Sequence, residues 1–336
     1  MERRFNFRKW IKYGLISSLI LAAVGLVIYR RYKTDLAIWF FAPKNNGEFV
    51  VTQKRVVVQY NPGISPSRPW LDKNRNIAPL TTYHTYAASA IGGRETDYLI
   101  YLPPGYEEPA NRDRRYPVVY WLHGYGSEPQ YGSPFVDTLD AAIKSGDAPP
   151  IIAVLPNGLI NSWYVDSVDG SQPMDSIIVG DLLPHIDRTF RTIADRNFRA
   201  VEGFSMGAWG AAHFAMKYPQ HFCAATLLSG PMGAHKQFSQ YSAVFRSDEN
   251  AFYSEDPVTI ARQNAAQLKD RVRFRIRVGE RDHCIRLVSG FDKQLRDWGY
   301  RCDLRILPEV PHADDVIYEK IGPKDFQFYR ELIDSK

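Results

Sequence analysis

The sequence predicts an α/β protein: a mostly parallel sheet with helices on both faces. Three observations carry this expectation. From Thr81 onward, short runs of strand-forming residues alternate with longer stretches of helical character. Two of the runs, 117–122 and 151–155, are apolar throughout, which suits strands covered on both faces. Gly203-Phe204-Ser205-Met206-Gly207 joins one run directly to a helical stretch, and a glycine on each side of the serine permits a very sharp turn there.

A chain of 336 residues fits one large domain with appendages, and 45% apolar content can fill a core. The net charge of +5 is local. Residues 1–33 carry eight Lys/Arg and one acid, a balance of +7, while the remainder holds 34 basic and 36 acidic residues, a balance of −2. The body therefore lacks a nucleic-acid footprint. Cys223, Cys284 and Cys302 show no metal-ligand spacing, and neither a metal nor a cofactor is expected. A Cys284–Cys302 disulfide and free thiols are both open.

Taken in order, residues 1–12 form a basic tail and 13–32 a transmembrane anchor. Tyr13 to Tyr29 runs 17 residues without a charge. As a helix it reaches about 26 Å at ~1.5 Å per residue, close to the hydrocarbon thickness. Trp10, Tyr13 and Tyr29 supply interfacial anchors, and Lys12 and Arg30 flank the span. A cleaved signal peptide is the alternative, although Val27-Ile28-Tyr29-Arg30-Arg31 is a poor cleavage site. Five basic residues precede the span and three follow it, which favours the N-terminus in the cytosol and the body on the extracytoplasmic side. Residues 33–80 read as a stalk. Within it, 49–60 alternates like one or two strands, and 61–75 has loop composition.

Residues 81–336 read as the catalytic domain. Strands are expected at 82–87 and 97–102, with Ile91-Gly92-Gly93 turning the hairpin and Pro103-Pro104-Gly105 ending it. Further strands are expected at 117–122, 151–155, 198–201, 224–228, 272–278 and 304–307. Helices are expected at 135–145, 176–189, 206–217 and 324–333, the third stopped by Tyr218-Pro219. Residues 231–250 are long enough to fold over the carboxyl edge of the sheet as a cap.

Gly-x-Ser-x-Gly between strand and helix is the nucleophile turn of an α/β-hydrolase fold. A serine hydroxyl needs a base to take its proton, and the base needs an acid to hold its tautomer. In this fold the chain order is serine, acid, histidine. His213, His221 and His235 lie on the helix behind the serine, on a surface turn and in the cap. His312, in Pro308-Glu309-Val310-Pro311-His312, sits between the last strand and the closing helix and is the choice for the base, with His283 its rival. Asp282, on the turn Gly279-Glu280-Arg281-Asp282, is the choice for the acid, with Glu280 the runner-up. The oxyanion hole is expected from the N–H groups of Met206 and Tyr125, the latter in His123-Gly124-Tyr125-Gly126. Trp163 and Tyr164 are candidates for lining the substrate pocket or for packing beneath the cap.

These pieces together resemble the putative-esterase family of α/β-hydrolases, which includes feruloyl esterases, S-formylglutathione hydrolases (esterase D) and mycolyltransferases. The resemblance is carried by 98–106, 116–124, Asn161-Ser162-Trp163-Tyr164, 181–187, 191–196, 203–207, 279–282 and His312. It spans residues 81–336 and is nearest to the feruloyl-esterase-like branch. It implies a triad of Ser205, Asp282 and His312 and an oxyanion hole at Met206 and Tyr125. Ala208 departs from the pattern, which has a glycine there.

The expected function is a serine carboxylic-ester hydrolase working through an acyl-enzyme, on a small-molecule or lipid/sugar ester. Two alternatives are an acyltransferase moving acyl groups between envelope lipids or sugars, and a catalytically silent binding module.

Overall fold

The computed structural model describes residues 50–53, 56–59, 70–72, 77–233, 241–246 and 248–335. The anchor expected at 13–32, most of the stalk and part of the cap lie outside these residues. Among the described residues no helix is long and apolar enough to cross a membrane. The chain divides into two units, 1–65 and 66–336. In the first, β1 (Val50–Gln53) pairs antiparallel with β2 (Val56–Gln59), where the alternation suggested one or two strands.

The second unit is built on an eight-stranded sheet. Its strands are β3 (Thr81–Ala88), β4 (Arg94–Tyr101), β5 (Val118–Leu122), β6 (Ile152–Pro156), β7 (Arg199–Phe204), β8 (Ala224–Leu228), β9 (Arg273–Gly279) and β10 (Arg301–Leu307). The order across the sheet is β10-β9-β8-β7-β5-β6-β4-β3. Only β4 runs against its neighbours, pairing antiparallel with β3 and β6. Every other pairing is parallel. The hairpin between β3 and β4 closes through Gly92 and Gly93, both with positive φ.

The apolar strands bury both faces, and their side chains alternate between two cores. In β5, Val118, Tyr120 and Leu122 enter one core while Val119 and Trp121 enter the other. The first core is covered by α2 (Leu183–Thr189), α3 (Met206–Lys217) and α8 (Ile285–Asp297). The second is covered by α1 (Ser133–Ser145), α9 (Asp314–Ile321) and α10 (Gln327–Asp334). Ahead of α2, residues 176–182 wind as a π-helix, so the helix expected at 176–189 is continuous but wider in its first half.

Between β8 and β9 the chain forms α4 (Ser242–Phe245), α5 (Glu249–Glu255), α6 (Pro257–Gln263) and α7 (Ala265–Leu268). Asp248 and Asp256 cap α5 and α6, their carboxylates accepting from backbone N–H groups of the first turn. This stretch packs on the carboxyl edge of β6: Tyr241 stacks on Trp163 with centroids 4.0 Å apart. The Val168 N–H donates to Val244 O at 3.0 Å.

Candidate active site

The turn from β7 into α3 holds Ser205 at φ 55° and ψ −114°, a conformation that costs a side-chain-bearing residue energy. Three contacts fix it. The Ser205 N–H donates to Leu228 O at 2.8 Å, tying the turn to β8. Ser205 O accepts from the N–H groups of Ala208 and Trp209 at 3.0 and 3.1 Å, which starts α3. A Cβ at Gly203 would lie 2.3 Å from the Gly207 carbonyl carbon, so only glycine allows the turn to close. Met206 and Gly207 then present N–H groups without intrahelical acceptors at the positive end of the helix.

His312 reaches this serine from the loop between β10 and α9. Its Nε2 lies 3.0 Å from Ser205 Oγ, and its Nδ1 lies 2.9 Å from each carboxylate oxygen of Asp282. The Phe204 ring packs against the imidazole, centroids 4.7 Å apart. Asp282 follows β9, where Gly279 lets the chain pass under the His312 loop: a Cβ there would lie 2.0 Å from Val310 O. The Arg281 N–H donates to Val310 O at 3.0 Å and holds the two loops together. Burial alone would raise the Asp282 carboxyl. The His312 ring and its hydrogen bond, together with the Cys284 N–H at 2.7 Å, outweigh that and hold it below its usual range. The two rivals make different contacts. Glu280 accepts from the Glu309 N–H at 3.1 Å, on the outer side of the loop. The His283 ring lies over His312, centroids 4.3 Å apart, with its Nδ1 3.9 Å from Asp282.

The loop after β5 lies against the same turn. A Cβ on Gly124 would be 3.5 Å from Ser205 Cβ. This loop is pinned from below. His123 is buried, its Nε2 accepting from the Gly158 N–H at 3.1 Å, and the Tyr164 hydroxyl donates to His123 O at 3.1 Å. Tyr164 is fully buried and so acts as a support for the loop that carries Tyr125. Trp163 is 2% exposed, between Tyr241 and Trp209. A cavity of about 650 Å³ is bounded by Met232, Arg262, Arg286 and Trp298, with none of Ser205, Asp282 and His312 in its walls.

Ser229 and the strain around it gave no sequence signal. Its hydroxyl lies beside the Asp282 carboxylate, outside good hydrogen-bond geometry. Ser229 has φ 56°, and Leu159, Trp163, Tyr164 and Glu309 also have positive φ. All follow strands of the sheet at the edge where Ser205 lies, and strain gathered in this way marks a functional edge.

Among the described residues, two clusters carry metal-ligand side chains, Asp282-His283-Cys284-His312 and Asp175-His213-Glu255. In the first, burial pushes the Cys284 thiol far up, and Asp282 is already committed to His312. In the second, Lys217 Nζ sits 2.7 Å from both carboxylates, where a cation would sit. Neither donor set suits a metal. The three cysteines are free thiols.

A family model described as "Putative esterase" matches residues 89–291. An esterase of Mycobacterium tuberculosis (strain CDC 1551 / Oshkosh) is 36% identical over 172 residues, 50% of this chain and 36% of that protein. An endo-1,4-beta-xylanase/feruloyl esterase of Xylanibacter ruminicola is 33% identical over 138 residues, 39% of this chain and 19% of that one. The chain thus spans well under half the length of these curated relatives. Among solved structures, a ferulic acid esterase superposes with a TM-score of 0.65 at 23% identity, covering 75% of this chain and 98% of the other. An S-formylglutathione hydrolase from Agrobacterium tumefaciens gives 0.63 at 16%, covering 78% and 99%. At these identities the likeness is one of fold.

Proposed function

This chain belongs to the Putative esterase family, and from that premise we propose that it is a serine hydrolase of carboxylic esters. The observation that carries the reading is the continuous path from Ser205 Oγ through His312 to Asp282, with steps of 3.0 and 2.9 Å. Ser205 Oγ attacks the acyl carbon while His312 Nε2 takes its proton. Asp282 holds the Nδ1 proton and so the tautomer that leaves Nε2 free to accept. The N–H groups of Met206 and Tyr125 receive the oxyanion; one such donor is worth about 10²–10³ in rate. Collapse expels the alcohol, which takes its proton from His312, and leaves an acyl-Ser205 ester. Water, activated by the same histidine, releases the acid.

Membrane attachment through residues 13–32, with the body extracytoplasmic, belongs to the same proposal and rests on the sequence. The ester itself is of the small-molecule or lipid/sugar kind. The Trp163–Tyr241 stack, where the segment after β8 covers the site edge, is the feature that favours partial exclusion of water and hence acyl transfer as a second reading.

The test is a fluorophosphonate probe with mass-spectrometric mapping of the adduct. A single adduct on Ser205, absent in Ser205→Ala and His312→Ala, supports the reading. Ser205→Ala is expected to lower ester turnover by about 10⁴–10⁶ with the fold intact. Folded protein that neither labels nor turns over any ester would instead be a silent binding module. Partition of the acyl group between water and an added alcohol separates hydrolysis from transfer.

A further inference from the structure

Resting on the serine-hydrolase reading, we propose that Tyr318 and Glu202 are positioning residues that hold the His312 loop in register with Ser205. They belong to a polar row buried across the sheet just below the site. Trp121 of β5 stands opposite Glu202 of β7, and Glu202 stands opposite Thr226 of β8, which in turn pairs with Arg275 of β9. The Tyr318 hydroxyl donates to Glu202 Oε1 at 2.6 Å and accepts from Trp121 Nε1 at 2.9 Å. Glu202 Oε2 accepts from Arg275 Nη2 at 2.8 Å and from the Tyr329 hydroxyl. Arg275 in turn donates to Asp325 O at 2.6 Å.

The members on β5, β7 and α9 each adjoin a site segment. β5 runs from Trp121 into the loop of Gly124 and Tyr125, and β7 runs from Glu202 into Ser205. Tyr318 lies on α9, the helix that begins immediately after the His312 loop. That loop is tied on its near side by Arg281 to Val310. On the far side the loop runs into α9, which Tyr318 anchors, and its one hydroxyl joins α9 to β5 and β7.

The row is an expensive way to fill a core. The side chains of Glu202 and Arg275 are 0% exposed, so both charges have left water. Apolar side chains of similar volume often stabilise a core as well or better than a buried ion pair. What apolar packing does not supply is directional bonding that fixes one strand and one helix against another. The row therefore answers a need for placement rather than for stability.

The test compares wild type, Tyr318→Phe and Trp121→Phe as full-length chains. kcat and KM on p-nitrophenyl acetate, the rate of fluorophosphonate labelling and thermal unfolding are measured together. Tyr318→Phe is expected to lower kcat and the labelling rate by about tenfold or more, as a base displaced by a fraction of an ångström does, with KM within about twofold. Trp121→Phe removes the donor that orients the hydroxyl and is expected to give a smaller loss with the same kcat-only signature; it also serves if Tyr318→Phe does not fold. Unchanged kcat and labelling in a folded variant, or a change confined to KM, overturns the proposal. A wild type that neither labels nor hydrolyses ester overturns the underlying reading instead, and the two failures are distinct.

Discussion

Gly207 lies directly against the backbone of Leu122: a Cβ on Gly207 would sit 1.9 Å from the Leu122 carbonyl oxygen. The first turn of the nucleophile helix thus rests on the end of the strand that leads to the candidate oxyanion loop. The neighbour is backbone, so no rotamer change relieves the overlap. Gly207→Ala is expected to destabilise by more than the ~1–3 kcal/mol usual for overpacking, and to remove labelling of Ser205. Gly290, in α8 with nothing within 4 Å of its Cβ position, is the control. There alanine is expected to stabilise by about 0.5–1 kcal/mol through helix propensity. Thermal unfolding of the two variants checks both signs.

Asp282 faces Nδ1 of His312 at 2.9 Å and is almost wholly buried, so it governs which imidazole nitrogen carries the proton. Asn in its place presents either an acceptor or a donor to Nδ1, and the donor orientation selects the wrong tautomer. Asp282→Asn is expected to lower kcat by about 10⁴ while leaving KM and the fold near wild type. Glu280→Gln, on the outer side of the loop, is expected to change kcat by less than about threefold. Steady-state kinetics on a simple acetyl ester reads both.

The fold and the site differed in how openly the sequence carried them. The parallel sheet was legible because most of its strands are short, apolar and separated by helices, whereas strand order and register leave no such local pattern. Ser205, Asp282 and His312 were legible because each follows a strand and precedes a helix, and strand ends are where this topology gathers side chains. Helix α8 went unread although Val288, Phe291 and Leu295 mark its buried stripe, because Ser289, Gly290 and the helix's charged residues break up the apolar period. Helices α4 to α7 went unread because each is under two turns long or little more, below the length at which period can be told from chance. Ser229 and the support given by Tyr164 could not be read at all. Both depend on long-range contacts, Asp282 for one and His123 for the other, that leave no local pattern.

His283 gives the protein a pH dependence of stability that is separate from catalysis. Its imidazole is pushed down to about 4, chiefly by burial and then by the neighbouring His312, with Asp282 opposing. The unfolded chain titrates near the ordinary histidine value, about 6.5. Between these two values the unfolded chain binds a proton that the folded protein refuses, so stability falls as pH is lowered from about 6.5 towards 4. The side chain is 42% exposed, and water reduces the size of the effect but not its sign. Asp314, pushed up to about 6 by its burial, acts in the opposite direction over part of the same range, because the folded carboxyl takes up a proton before the unfolded one does. His84, His185 and His221 are lowered by burial and add to the loss. The informative quantity is therefore the difference between wild type and His283→Gln, in which the other groups cancel. Urea unfolding at intervals from pH 7 to pH 4 is expected to show the wild type losing more stability on acidification than the variant. Parallel curves for the two proteins would mean that His283 is solvated in the folded state and is not held neutral by the site.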